Sequence, residues 1–174
     1  EASMTTHDRN IRAAGVTVEE LAPQHRFSFR IRPEALAAGR QLLGLDLPER
    51  IGGLVKAGER RALCLGPDEW MVEFPEGDRP APIVGVPYAL VEISDREITW
   101  RISGPRAAEL LSIGIARDLV GLAPSKGCRT AFGTVQAVLV REAEDTFTLS
   151  VWRSFAQHVA ELLEIGQREL ACGL

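Results

Sequence analysis

The fold of this chain is decided by residues 98–111, which read ITWRISGPRAAELL. Apolar and polar residues alternate from Ile98 to Ile102, as they do in a strand with one buried face. Ser103-Gly104-Pro105 then ends the strand and opens a helix, because proline fixes a helical φ and the first helical turn needs no N–H from it. The stretch therefore predicts a strand that is followed directly by a helix.

The residues that follow complete a structural unit. Residues 121–127 are rich in glycine, proline and serine and are predicted to form a loop. Residues 130–140 are rich in valine and predict one strand, which a polar turn at residues 142–145 joins to a second strand at residues 147–151. The predicted order is thus strand, helix, strand, strand.

A second helix closes this unit. Ser154 is predicted to cap it, with Gln157 reaching back in a capping box. Gly166 is predicted to end it, since glycine adopts the left-handed conformation common after a helix. Residues 167–174 would then form a C-terminal tail.

The same pattern occurs earlier in the chain. Residues 27–31 alternate as a strand, and residues 32–34 (RPE) open a helix that Gly44 is predicted to end. Residues 44–59 show little periodicity and predict a loop, whereas residues 62–74 predict two strands joined by a tight turn. A strand–helix–strand–strand unit used twice predicts an α+β fold, in which the two units form one mainly antiparallel sheet with helices on one face.

These patterns predict one domain at residues 15–166, similar in length to many single domains. Residues 15–21 are expected to form a short strand or an extended arm. Ahead of them, Glu1-Ala2-Ser3 before Met4 resemble a tag remnant, and residues 1–14 are expected to be a loose tail. The two units are predicted at residues 25–75 and 88–166. The connector between them is predicted at residues 75–87, and the C-terminal tail at residues 167–174.

Composition limits the kinds of partner. The 174 residues carry a net charge of −4, so we expect no general attraction to nucleic acid or to an anionic membrane, and no apolar run is long enough to span a bilayer. Cys64, Cys128 and Cys172 lie far apart in the sequence. Their odd number and wide spacing predict reduced thiols in a cytoplasmic protein and no metal knuckle.

Few residues suggest catalysis. His7, His25 and His158 have no neighbouring nucleophile in the sequence and are predicted to face solvent or an interface. The three cysteines lack a local signature of catalysis and are predicted to be buried or unreactive thiols. We therefore predict no catalytic, cofactor-binding or metal-binding residue.

The turn at residues 65–70, LGPDEW, admits two interpretations. In one, Asp68 forms the turn and Trp70 belongs to the core. In the other, the turn lies against a partner subunit, because tryptophan and arginine are common anchors of interfaces. The predicted interface residues are Asp68, Glu69, Trp70, Arg101, Trp152 and Arg153.

Residues 88–163 resemble the folate-dependent aminomethyltransferases. The resemblance rests on residues 90–96 (LVEISDR), on the Ser-Gly-Pro strand end, on residues 117–122 (RDLVGL), and on the final hairpin and helix. Within that group the chain is most similar to the gamma subunits of heterotetrameric sarcosine oxidases. LGPDEW at residues 65–70 and WRSFA at residues 152–156 carry this closer likeness.

One departure from the aminomethyltransferases bears on activity. The aminomethyltransferases carry acidic residues after the glycine of one strand, and one of these residues handles the folate amine. The matching positions in this sequence are Gln136 and Ala137. A glutamine carries no charge and cannot act as a general base. We therefore expect aminomethyl-transfer chemistry to be missing from this chain.

The resemblance implies an accessory, non-catalytic subunit of an oxidoreductase complex. Such complexes demethylate sarcosine to glycine and release hydrogen peroxide with formaldehyde or 5,10-methylene-tetrahydrofolate. FAD, FMN, NAD and tetrahydrofolate are expected on the alpha, beta and delta partner subunits. Two alternatives remain: a free-standing folate-binding or aminomethyltransferase-like protein of one-carbon metabolism, and a binding module for a different dehydrogenase.

Overall fold

The computed structural model describes residues 15–173, and the tail predicted at residues 1–14 lies outside them. The described residues form an α+β fold with mainly antiparallel strands, which confirms the predicted class. The strands are β1 (Thr17–Glu20), β2 (His25–Ile31), β3 (Leu54–Ala57), β4 (Arg60–Gly66), β5 (Glu69–Phe74), β6 (Tyr88–Glu92), β7 (Glu97–Ser103), β8 (Lys126–Phe132), β9 (Val135–Ala143) and β10 (Thr146–Trp152). The α-helices are α1 (Leu36–Leu43), α2 (Ala107–Ser112) and α3 (Ala156–Ala171), and 3₁₀ turns at Pro33–Ala35 and Arg153–Phe155 precede α1 and α3.

The strands form two sheets of five, so the expectation of one shared sheet is wrong. The described residues also divide into two compact units. The first consists of residues 15–22, 97–124 and 129–173, and the second of residues 23–96 and 125–128. The second unit therefore interrupts the first in sequence, which the predicted boundaries did not anticipate.

The two sheets have the same internal order. One is β1-β7-β10-β9-β8 and the other, read from its outer strand, is β6-β2-β5-β4-β3. In each, a strand is followed in sequence by a helix and then by three more strands of the same sheet. The repeat predicted from the sequence pattern is thus present in the topology.

The outer strands of the two sheets are exchanged relative to this repeat. β1 comes just before β2 in the chain, yet it pairs with β7, with Val18 opposite Ile102. β6 comes just before β7, yet it pairs with β2, with Leu90 opposite Phe29. Each sheet is therefore completed by a strand that precedes the other repeat in sequence.

Two predicted elements differ in the structure. The single strand predicted at residues 130–140 is wrong, because a turn at Gly133, with φ of +59°, separates β8 from β9. The loop predicted at residues 44–59 contains the short strand β3, which is half-exposed or exposed along its length. A four-residue strand of this kind carries too little alternation to be recognised locally.

The last helix also differs at both ends. The predicted capping box is wrong: Ser154 lies in a 3₁₀ turn without a capping bond, and the Gln157 amide donates to Glu161. The helix continues past Gly166 to Ala171, so the predicted stop is wrong as well. Gly166 is needed there for packing, because a Cβ would lie 2.7 Å from Cδ1 of Ile113.

The core of the second unit lies between β2, β4, β5 and α1. Phe29 is fully buried between Trp70 and Tyr88, with ring centroids 6.1 and 6.2 Å away. Gly39 of α1 allows the helix to pack closely against Phe29 of β2, since a Cβ at residue 39 would lie 3.2 Å from the Phe29 ring. Gly44 adopts φ of +65° and ends the helix, as predicted.

In the first unit, a buried arginine holds the long segment between α2 and β8. Nη1 of Arg141 donates to the carbonyl oxygens of Val120 and Leu122 at 3.1 and 2.7 Å. Nε and Nη2 donate to the carbonyl of Glu144, which belongs to the turn before β10. One side chain thus satisfies carbonyl groups from two separate turns, where unpaired buried groups would be costly.

Gly104, between β7 and α2, is predicted to tolerate no side chain. Its φ is +124°, and a Cβ would lie 2.5 Å from the backbone oxygen of Gly15. Gly104→Ala should lower the free energy of unfolding by at least about 3 kcal/mol, because a strained φ costs about 1–3 kcal/mol and the clash adds to it. Gly133→Ala is the matched control, since nothing lies within 4 Å of its Cβ position. Urea denaturation measures both, and equal losses would contradict the prediction.

Candidate functional site

The predicted interface residues of the second unit lie at the turn between β4 and β5. Nη2 of Arg30 bonds Oε2 of Glu69 at 3.0 Å, and Nη1 lies 3.8 Å from the Asp68 carboxylate. The Arg30 and Asp68 side chains are half in solvent, at 54% and 48% exposure. The turn thus presents a paired set of charges at the surface.

Trp70 occupies a different environment from its neighbours. It is 2% exposed and belongs to the core cluster, and its indole N–H donates to the carbonyl of Pro48 at 2.9 Å. The core interpretation therefore holds for this residue, and its ring is not available on the surface. It also lines a cavity of about 460 Å³ with Pro33, Leu36 and Pro67.

The remaining predicted interface residues belong to the first unit. Trp152, 43% exposed, ends β10 opposite Glu97, and Arg153 opens the following 3₁₀ turn. Phe155, at 44% exposure, adds apolar surface beside them. Arg101 lies further along β7 and pairs with Glu19 of β1 at 3.2 Å. The six predicted residues therefore fall into one group in each unit.

His25 lies near the hydroxyl of Ser94, which donates to the same Oε1 of Glu92 that lies close to the His25 ring. Nδ1 of His25 lies 3.2 Å from the carbonyl of Pro75, and Nε2 lies 3.5 Å from the carboxylate of Glu92. His158 is exposed on α3, and His7 lies outside the described residues. His25 therefore contacts two acceptors, an arrangement suited to holding the strand end in place.

The predicted burial of thiols is confirmed for Cys64 and Cys128. Burial raises the pKa of the Cys64 thiol, and the hydrogen bond from Sγ to the carbonyl of Gly66 opposes this effect only in part. Cys172 is exposed near the end of α3. A raised pKa favours the neutral thiol, which is a poor nucleophile.

Gln136 and Ala137, the residues predicted to stand at the acidic folate positions, lie on an inner strand of the first sheet. Gln136 is exposed on β9, whereas Ala137 is 1% exposed and lies opposite Val151. Neither side chain carries a charge.

Within residues 15–173, no group of three or more histidine, cysteine or acidic side chains is arranged to hold a metal ion. None of the helices in that range combines the length and apolar character needed to cross a bilayer.

A buried ionic cluster in the second sheet was not predicted from the sequence. Glu73, 5% exposed, accepts from Nε and Nη2 of Arg26 at 2.9 and 2.7 Å and from Nη2 of Arg61 at 3.0 Å. Arg26 is itself 2% exposed. Burial alone would raise the pKa of Glu73, but the charges and hydrogen bonds of Arg26 and Arg61 outweigh it and hold the pKa below its usual range.

Comparison with solved structures defines the class of fold. The chain is similar to the glycine cleavage system aminomethyltransferase T of Bartonella henselae, with a TM-score of 0.65 and 14% identity over 88% of this chain and 48% of that one. This chain thus spans about half the length of that protein. It is also similar to a chain of the heterotetrameric sarcosine oxidase from Corynebacterium sp. U-96, with a TM-score of 0.80 and 22% identity over 90% of this chain and 85% of that one. The fold is that of aminomethyltransferase-like proteins.

A family model identifies the chain more closely. The model of the sarcosine oxidase gamma subunit family matches residues 30–167. The chain belongs to this family, which confirms the resemblance and extends it well ahead of residue 88. A search of curated proteins finds no match to the sequence.

The Glu73 cluster predicts a large loss of stability in Glu73→Gln. Removing one partner of a buried ion pair leaves the other charge uncompensated and costs about 3–5 kcal/mol. Glu69→Gln is the matched control: it weakens a pair whose arginine is 54% exposed, and it should cost less than about 1 kcal/mol. Chemical denaturation at pH 7 measures both variants.

The pH dependence tests the cause. Because folding lowers the pKa of Glu73, its stabilisation is complete above its unfolded pKa of about 4.3 and is lost as the pH falls through the lower folded value. The difference between the wild-type chain and Glu73→Gln should therefore shrink below about pH 4. A difference that stays constant down to pH 2 would contradict the ionic explanation.

Proposed function

We propose that this chain is the accessory, non-catalytic gamma subunit of a heterotetrameric complex of the sarcosine oxidase type. The family match over residues 30–167 is the observation that carries the proposal. The uncharged Gln136 and Ala137 support a role without aminomethyl transfer, because general-base chemistry needs a titratable group. The contribution of the chain to the complex is then to bind and stabilise larger subunits.

The complex would demethylate sarcosine oxidatively. Sarcosine, oxygen and water give glycine, formaldehyde and hydrogen peroxide, and with tetrahydrofolate the one-carbon product is 5,10-methylene-tetrahydrofolate instead. We expect alpha, beta and delta subunits as partners, which hold FAD, FMN, NAD and tetrahydrofolate. We also propose a cytoplasmic location, which the three free cysteines, none of them in a disulfide, support.

In this proposal the two surface groups contact partner subunits. Trp152 and Arg153 supply the residue types that dominate interface energetics, and Trp152 keeps 43% of its surface exposed. Arg101 lies on the same unit. Asp68 and Glu69 form the other group, and the buried Trp70 supports their turn through its bond to Pro48.

A free-standing folate-binding or aminomethyltransferase-like protein is the second candidate. It is favoured by the likeness of the fold to aminomethyltransferase T. Titration of the isolated chain with tetrahydrofolate discriminates between the two. Micromolar binding would favour the second candidate, whereas no binding to the isolated chain is expected of an accessory subunit.

Co-expression with the large flavoprotein subunits of a sarcosine oxidase-type complex is the direct test. The tagged chain should recover those subunits with their flavins, at a fixed stoichiometry by size-exclusion chromatography and absorbance. The gamma-subunit proposal would be wrong if the folded chain eluted alone while the other subunits assembled without it.

Trp152→Ala should weaken association with those subunits by about 30-fold or more. This loss corresponds to the roughly 2 kcal/mol expected of a tryptophan anchor. Val120→Ala is the matched control, because Val120 is an apolar residue of the same unit at 81% exposure. Surface plasmon resonance with the purified complex partners measures both affinities, and equal affinities would exclude Trp152 as an anchor.

A further inference from the structure

β6 is an outer strand of the second sheet with one side open. It pairs with β2 in antiparallel register from Tyr88 opposite Ile31 to Glu92 opposite Phe27. Among residues 15–173, no other strand pairs with it. Unpaired strand edges present backbone donors and acceptors that readily bind another extended chain.

The hydrogen-bond pattern shows which backbone groups face outward. The N–H of Ile93 donates to the carbonyl of Arg26 at 2.8 Å, so the odd-numbered residues of β6 direct their N–H and C=O groups toward β2. The N–H of Ile31 donates to the backbone carbonyl of Asp68, on the opposite side of β2 from β6. Ile31 and its partner Tyr88 therefore do not exchange hydrogen bonds with each other, as the alternation requires. Tyr88, Leu90 and Glu92 therefore direct their N–H and C=O groups away from the sheet.

The side chains of β6 do little to block a further strand. The sequence YALVE contains no proline or lysine, and its register with β2 has no bulge. Val91 is 56% exposed, and the only charge, on Glu92, is neutralised by an ion pair with Arg79. The other outer strands carry charged residues that deter pairing. These are Glu20 in β1, Lys56 in β3, and Lys126 and Arg129 in β8.

An acidic cavity lies at the C-terminal end of β6. It has a volume of about 590 Å³, and its lining includes the carboxylates of Glu59, Glu76, Glu92 and Asp95. Within the described residues, Glu59 and Glu76 make no ion pair. A cationic side chain that ran past the end of β6 would meet the carboxylates of Glu59 and Glu76, whereas Glu92 is already paired with Arg79.

We infer that β6 pairs with an extended segment of a large partner subunit. This segment adds a sixth strand to the sheet through Tyr88, Leu90 and Glu92. The part of the partner segment that lies beside Val91 is apolar. A lysine or arginine follows this apolar part, and its side chain enters the acidic cavity at the end of β6. Such strand addition draws affinity from main-chain hydrogen bonds and specificity from the flanking side chains. The inference rests on the proposed function, since it identifies the segment that the partner must supply.

Paired valine-to-lysine variants in the co-expressed complex test the inference. Val91→Lys places a charge on the strand edge and should reduce recovery of the large subunits at least tenfold. Val84→Lys makes the same change at a residue that is 97% exposed and lies outside β6, and recovery should be unchanged. Glu59→Gln with Glu76→Gln should weaken association several-fold and make it less sensitive to salt.

Hydrogen exchange on the wild-type chain is an independent measurement. The amides of residues 88–92 that exchange fast in the isolated chain should be protected at least tenfold in the complex. Full recovery with Val91→Lys, or no protection in an assembled complex, would overturn the inference and leave the proposed function intact. Failure of the wild-type chain to recover the large subunits would overturn both, and protection in a homodimer of the isolated chain would assign the edge to a second copy.

Discussion

The second sheet depends on the placement of one carboxylate between two guanidinium groups. Glu73 of β5 lies directly opposite Arg26 of β2 and Arg61 of β4 in the strand register. A shift of either neighbouring strand by one residue would turn its arginine to the other face and leave a buried charge without a partner. The ionic cluster therefore fixes the register of the three central strands. Since β6 pairs only with β2 among the described strands, its position in the sheet follows from the register of β2.

Elements with strong local signals could be predicted from the sequence. The alternation that ends at Ser103, the turn before Trp70 and the glycine after α1 each act within a few residues, and all three are present. The short strand β3 and the division at Gly133 were not predicted, because neither interrupts the local pattern clearly. The two separate sheets and their exchanged outer strands could not be foreseen, since strand order depends on contacts between distant residues.

Some residues of the candidate site could likewise be recognised from the sequence, and others could not. Family resemblance identified the exposed Trp152 and the charged turn at Asp68, because those residues stand in recognisable local motifs. The cluster around Glu73 and the acidic cavity join residues from separate strands and loops, which only the sheet register brings together. No spacing in the sequence encodes such proximity. Partner binding by a strand edge also leaves no motif, since the backbone supplies the hydrogen bonds.

The exchange of outer strands has a consequence for the order of events during translation. β1 leaves the ribosome early, but β7, its pairing partner, begins 77 residues after Glu20, at Glu97. All five strands of the second sheet are synthesised within that interval. The strands of the second sheet can therefore pair while the nascent β1 is still unpaired. The first sheet closes later, as expected for contacts of long sequence separation.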